Sequence, residues 1–427
     1  MKILVIGNGF DLEHGLPTKY KDFLDFMQGI KLISSKTNVA DKNAFIEELG
    51  TITNHEVDEN IKKYFTQEKF LNPDFMKEWK EEKISKELIE GANNNIWIKY
   101  FIKNMNYENK GWIDFESEIS NVIQCFDYMK NYSEYCKKYL KWPEEKEQEK
   151  YYKEEIVKKV LVYSGLDIEP FELIGENLKE IIDTLKNHLD NLIRCLEIYL
   201  EECVRKINIE CLATDIKDIR FDKVLSFNYT NTYERVYGYS DKGIEYDYIH
   251  GKAEITRNPS ENDMVLGIDE YLDDELKNKE LEFIAFKKYF QRIYKRTGNT
   301  YKKWREQIKD IIRENNEKVE KYEKELSIKY LNSDKEPIIS AINEIKKYKN
   351  EIYIFGHSLD ITDKDIIREL IEYPNIETTI FYYDKGVYAQ QIANMVKIIG
   401  QDELIQRVSG ANPTIIFKQQ QQKTKRN

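Results

Sequence analysis

An α/β fold is expected, built on a mostly parallel sheet with large helical insertions. Three observations predict it. Apolar runs of strand length are few and far apart, each ends at a glycine or a polar residue, and the stretches between them carry helical periodicity. Glycine and proline are also scarce, 18 and 8 in 427 residues, which disfavours an all-β design with many tight turns. The first run, residues 2–6 (KILVI), ends at Gly7, and the second is 223–227 (KVLSF). Weaker candidates are 246–250 and 264–268. Residues 351–355 (EIYIF) end at Gly356, 378–383 (TTIFYY) end at Asp384, and 414–417 add an edge.

The helical stretches follow from side-chain spacing. From Pro170 to about Arg205, apolar residues recur at 178, 181, 185, 189, 192, 196, 199 and 203, the stripe of one long amphipathic helix. Residues 300–331 carry Glu317/Lys321, Glu320/Lys324 and Glu325/Lys329 at i,i+4, which marks a solvated arm. The run 144–160 is rich in Glu, Lys and Tyr and reads as an exposed helix or connector. The strands fall in 1–30, 219–270 and 350–417, together about 150 residues, one ordinary domain in three parts. Into it are threaded a helical insertion at 31–218 and a helical arm with a basic-aromatic helix at 271–349. Residues 418–427, KQQQQKTKRN, read as a disordered tail.

Composition limits the function classes. With 66 basic and 77 acidic side chains the net charge is −11, unlike a protein that coats nucleic acid. The five cysteines form no CxxC pair, so a zinc ribbon or disulfide framework is not expected and a cytoplasmic setting is. The apolar start is cut at once by Gly7, Asn8 and Asp11, so it reads as a strand and not a targeting segment. No window reaches the roughly 18 apolar residues of a membrane span, and no membrane partner is expected.

In parallel sheets ligands sit at the carboxyl ends of the strands, so the residues just after each run are the candidates. After the first come Gly7-Asn8-Gly9-Phe10-Asp11 and then Gly15-Leu16-Pro17. Paired glycines allow a tight turn and close backbone approach, and helix-start amides can hold a pyrophosphate, although the same pattern also closes ordinary βα units. After the second stands Asn228, a candidate catalytic group or a cap, followed by Thr230. After the third comes His250-Gly251, whose imidazole suits general-base work. After 351–355 come Gly356, His357, Ser358 and Asp360, a loop able to donate hydrogen bonds to ribose or phosphate. Jointly these argue for a nucleotide site in a doubly wound sheet. No acid or histidine spacing matches a metal ligand set, so no metal is expected; His14, His55 and His188 show no ligand pattern.

The opening ILVIGNGFDLEHGLPTKYKDFL resembles that of the AbiH family, linked to bacterial abortive infection by phage. The resemblance continues in order through WIDFESEI (112–119), SFNYTNTYE (226–234), YIHGK (248–252), LGIDE (266–270), FKKYFQRIYKRTGNTY (286–301) and IFGHSLDITDKDI (354–366). The same blocks more distantly resemble sirtuin-like NAD-binding domains, with their GAGxS…G[IL]P loop, TxNxD strand end, HG and GxSxxD. That implies a Rossmann-like core and NAD as substrate or ligand. Asp11 stands at the loop Ser position and Thr230 at the Asp position, and the four-Cys zinc module is missing. Defence-associated relatives of that class also lack zinc and hydrolyse NAD.

Three readings stay open. The first is a cytoplasmic toxin, an NAD glycohydrolase with His250 as base or hydroxyl-orienting group and Asn228 positioning water or ribose. In it the 7–11 loop holds the pyrophosphate and the 356–360 loop the adenosine half. A phage-derived trigger or regulatory partner would gate it, and a homo-oligomer is compatible with it. The second is a sensor of NAD or ADP-ribose without turnover. The third is a nucleic-acid effector using residues 287–305, where Lys288, Arg292 and Lys295 share one helix face and Phe283, Phe286, Phe290 and Ile293 another, expected to be buried. An amphipathic helix with a solvated basic face is the favoured account of that pattern, and a face covering cofactor phosphates is a further alternative. Glu116 is left without an assigned role.

Overall fold

Six strands pair in parallel to form the main sheet, apolar and buried at its centre and more polar and exposed at the edge strands. They are β1 (Lys2–Ile6), β3 (Lys223–Ser226), β4 (Glu245–Tyr248), β5 (Asn350–Phe355), β6 (Ile376–Tyr382) and β7 (Ile415–Gln419), in the order β4-β3-β1-β5-β6-β7. A separate antiparallel pair joins β2 (Cys211–Leu212) to β8 (Thr424–Lys425). The computed structural model describes all residues except 105–113, 140–146, 239–242, 329–331, 373–374, 422 and 426–427. Trp112, Ile113 and residues 144–146 therefore lie outside the described residues.

Numbering only the six sheet strands along the chain gives the order 3-2-1-4-5-6. The chain builds outward from β1 through β3 to β4, then returns to the other side of β1 with β5. The β1/β5 boundary is thus a topological switch point. The register places Ile6 beside both Ser226 and Phe355, and Ser226 beside Tyr248, so four strands end in one row. Strand alternation sends Ile3 and Val5 into one apolar core and Leu4 and Ile6 into another, which is why β1 reads as an unbroken apolar run.

The chain divides into two compact units. The first, with the sheet, comprises Met1–Gly15, Asn208–Gly251 and Gly298–Asn427. The second comprises Leu16–Ile207 and Lys252–Thr297. In the second, the predicted stripe is buried at Leu178, Ile181, Leu185, Leu189, Leu192, Leu196, Tyr199 and Cys203. The predicted single helix is split, however. Pro170–Glu172 form a 3-10 turn, the α-helix runs Gly175–Tyr199, and Leu200–Val204 continue as a π-helical segment. Among the described residues no helix is long and apolar enough to cross a membrane.

Further expectations are corrected. Residues 264–268 form no strand of the sheet, because the Gln291 side chain takes the place of a neighbouring strand. Its amide oxygen accepts from Leu266 N–H and its Nε2 donates to Leu266 O, each at 3.1 Å. Residues 147–164 form a helix, as one of the two expectations had it, but one that packs on one side, burying Ile156, Val157, Val160 and Leu161. The basic-aromatic segment keeps its expected faces only in part: Phe283 and Phe286 are buried as expected, Phe290 is half-buried, and the helix that follows departs. Lys288 and Gln291 are buried in the helix Lys288–Lys295, whereas Ile293 is 71% exposed. Lysine stems bury well when the ammonium finds a partner, and here Lys287 meets Glu270 at 2.8 Å and Lys288 meets Glu116 at 2.5 Å. The helix also stops at Arg296, in the left-handed region at φ 54°, and a new one runs Tyr301–Ile328. β7 runs to Gln419, and the Gln421 N–H donates to Asp215 at 2.7 Å, inside the segment expected as a tail.

Candidate functional site

The carboxyl ends of β1, β3, β4 and β5 bring together most of the residues singled out in the sequence. The β1 and β5 loops cross in direct backbone contact. Gly9 N–H donates to Gly356 O at 2.8 Å, and Gly7 N–H donates to Phe355 O at 3.3 Å. A side chain has no room at the crossing. A Cβ on Gly356 would lie 2.1 Å from Phe10 N, and one on Gly9 would lie 2.8 Å from the Gly356 backbone. Gly356 also needs φ +67°, a region that disfavours side chains. The glycine pattern thus serves loop-to-loop packing. Phe10 N–H donates to Gly7 O at 2.8 Å, so three amides of the turn are already engaged with backbone.

Asn228 ties a third strand end to this crossing. Its Nδ2 donates to Gly7 O at 3.0 Å, and its own N–H is held by the Ser226 hydroxyl at 3.1 Å. Next along, Thr230 donates its hydroxyl to Asp11 Oδ2 at 2.6 Å, while Thr232 donates to Thr230 at 3.0 Å. The Asp11 carboxylate and the Thr230 hydroxyl are therefore bonded to each other across the two strand ends. Asp11 is 1% exposed. Burial pushes its carboxyl up to about 6, against the pull of Thr230, Thr232 and Arg235. Its Oδ1 is buried and has no hydrogen-bond partner among the described residues.

Asp363 organises the other half of the site. Its Oδ1 lies 3.7 Å from His250 Nε2, and its Oδ2 lies 3.4 Å from His357 Nε2. All three side chains are buried. His357 Nδ1 accepts the Leu359 N–H at 2.9 Å, which leaves Nε2 to carry the proton of the neutral ring. That bond depends on Leu359 adopting φ 58°, unusual for a leucine, and on its complete burial. Phe227 stands between the two imidazoles, with ring centroids 5.7 Å from His250 and 4.3 Å from His357. Helix Lys385–Ile399 clamps the loop from behind: Gln391 Nε2 donates to His357 O at 3.1 Å, and Asn394 Nδ2 to Ser358 O at 3.0 Å.

Not every candidate joins this cluster. Gly15 closes the first helix at φ +73° with nothing near its Cβ direction, and Pro17 belongs to the second unit, where its carbonyl accepts the Tyr199 hydroxyl at 2.6 Å. Asp360 caps the following turn through Thr362 N–H, and the Ser358 side chain is exposed. Gly251 takes φ +77° directly after His250. His14 is structural: Tyr237 OH lies 2.8 Å from Nε2 and Phe10 O lies 2.7 Å from Nδ1, and burial lowers its pKa to about 4. Sequence reasoning missed Asp363 and Phe227. Asp363 is the first acid after the GHSLD loop, three residues beyond Asp360, a spacing that in sequence marks only the start of a helix.

The fold and cluster define a mixed α/β protein with a polar site at the switch point of an all-parallel sheet. The family model for bacteriophage abortive infection AbiH matches residues 3–384, and the chain belongs to that family. Comparison with curated proteins and with solved structures finds no match.

Proposed function

We propose that this abortive-infection protein is an effector that hydrolyses NAD at the nicotinamide–ribose bond. The observation that carries the reading is the Asp363 carboxylate set between His250 and His357 at the switch point of the sheet. The strand order 3-2-1-4-5-6 is that of doubly wound dinucleotide-binding sheets, which supports a Rossmann-like assignment, and the sirtuin-like order of motifs points the same way. Fold alone does not set a reaction, so the argument rests on the cluster.

In this reading nicotinamide departs neutral, taking the bonding pair to its ring nitrogen and leaving an oxocarbenium-like ribose. Water attacks C1′, and its proton passes to His250. The imidazolium then faces Asp363, which stabilises it. The products are ADP-ribose, nicotinamide and a proton. Asn228 Nδ2 is committed to Gly7 O, which leaves the amide oxygen to orient the water or a ribose hydroxyl. His357 holds Asp363 in place. A phage-derived trigger or regulatory partner gates such a toxin in the cytoplasm, because ungated turnover would kill the host.

A positioned base supplies about 10²–10⁴-fold. Nicotinamide release by purified protein, alone and with phage components, should therefore fall at least about 100-fold in His250→Ala and in Asn228→Ala, with folding retained. Unchanged release in both variants sinks the assignment. The burial of the cluster favours a second reading, a nucleotide sensor. Tight calorimetric binding of NAD with no product over hours would select it.

A further inference from the structure

The turn after β1 looks in sequence like a phosphate cradle. Its geometry is different. The amides of Gly7, Gly9 and Phe10 all donate to backbone carbonyls, and the space beside Gly7 and Gly9 is filled by the backbone of residues 356 and 357. The charged group this turn carries is a buried carboxylate. Asp11 has one oxygen fixed by Thr230 at 2.6 Å and the other buried without a hydrogen-bond partner among the described residues. A buried acceptor with no partner is costly unless a ligand supplies the donor. An anion placed against it would be repelled at low dielectric.

We propose that Asp11 Oδ1 accepts a hydrogen bond from a neutral donor of the nucleotide, a sugar hydroxyl or an amide N–H, and that the pyrophosphate lies elsewhere. This rests on the nucleotide reading above. Thr230 and Thr232 act as positioning residues: their hydroxyl chain fixes the rotamer that presents Oδ1. With the acid at position 11 and the hydroxyl at position 230, the negative charge stands on the β1 turn, where it selects donors and rejects phosphates.

The sign of one substitution separates the two arrangements. Calorimetry at pH 8, where Asp11 is ionised, would measure ADP-ribose and NAD binding to the full chain and to Asp11→Asn. A charge-assisted hydrogen bond lost from a buried site weakens binding about 10–100-fold, and that is the expected result. Binding that is unchanged or tighter in Asp11→Asn, as relief of a carboxylate beside phosphate would give, overturns the proposal. If circular dichroism shows Asp11→Asn to be unfolded, Thr230→Val decides by the same criterion, with a several-fold loss expected. Wild-type protein that binds neither ligand overturns the nucleotide reading and this proposal together. Wild-type protein that binds both, weakens on Asp11→Asn and releases no nicotinamide overturns only the hydrolase reading.

Discussion

The strand-end cluster, drawn from four separate stretches of chain, and the continuous segment 287–296 both bury charged side chains, yet they satisfy those charges differently. In segment 287–296 each lysine has found a protein partner. Lys287 meets Glu270, Lys288 meets Glu116, and Lys295 donates to the Met264 carbonyl. Arg292 departs from this, with Nε and one terminal nitrogen buried without a partner among the described residues. At the strand ends the charge is only half satisfied: Asp11 is bonded through one oxygen and bare at the other. Paired buried charges hold a fold in register, whereas a half-paired one is poised for a ligand. The ammoniums of Lys287 and Lys288 are held by carboxylates and are therefore not free to displace counterions from a phosphate backbone, unlike the exposed Lys302 and Lys303.

The largest effect that tests this contrast is structural. Gly356→Ala puts a Cβ 2.1 Å from Phe10 N at φ +67°, so the β1 and β5 loops must separate. Strain and overpacking together should cost about 3 kcal/mol or more in urea unfolding. Gly15→Ala, also at positive φ but with open space around it, should cost only about 1 kcal/mol. Equal losses would mean that the crossing does not depend on glycine. The next effect concerns Asp11 and has a defined sign. Its carboxyl is raised from 3.8 to about 6, so the folded state binds the proton more tightly than the unfolded chain. Stability from this group is therefore present at low pH and is lost as pH rises from about 4 through about 6. The gap corresponds to roughly 3 kcal/mol. Asp11→Asn should raise the melting temperature at pH 8 and bring little gain at pH 4, the opposite sign from its effect on ligand binding. A gain that did not depend on pH would remove the buried-carboxylate account.

The sheet was legible because buried parallel strands leave a plain trace. The runs at 2–6, 223–227, 351–355 and 378–383 differ from the observed strands by only a residue or two at their ends. The order of the strands was not legible, since pairing is a long-range choice, yet the doubly wound guess rested on where glycines and amides stood along the chain. The site was half legible. Asn228, His250 and His357 sit where strands end, and that is a sequence-local property. Asp363 joins them only because the 356–360 loop folds back through Leu359 in the left-handed region, which no leucine advertises. The helix Lys288–Lys295 departs from its expected faces for a related reason, while Phe283 and Phe286 before it are buried as expected. Helical periodicity reports two faces but not which one is buried, and within that helix lysines with carboxylates waiting for them reversed the usual choice.

The smallest effect tests that reversal. Ile293 and Tyr294 are 71% and 77% exposed on the helix Lys288–Lys295, and Phe290 stacks beside Tyr294 with centroids 6.0 Å apart. If Ile293 belonged to the core, as its place in the apolar stripe implies, truncation would cost about 2–5 kcal/mol. With the side chain in solvent, Ile293→Ser and Tyr294→Ser should each shift the unfolding free energy by less than about 0.5 kcal/mol. Lys287→Ala, on the buried face of the same segment, serves as the internal standard. It strands Glu270, which is 29% exposed and so partly hydrated, and should cost about 2 kcal/mol. A ranking with Ile293→Ser above Lys287→Ala would restore the amphipathic reading and return the lysines to solvent, where a phosphate backbone could reach them.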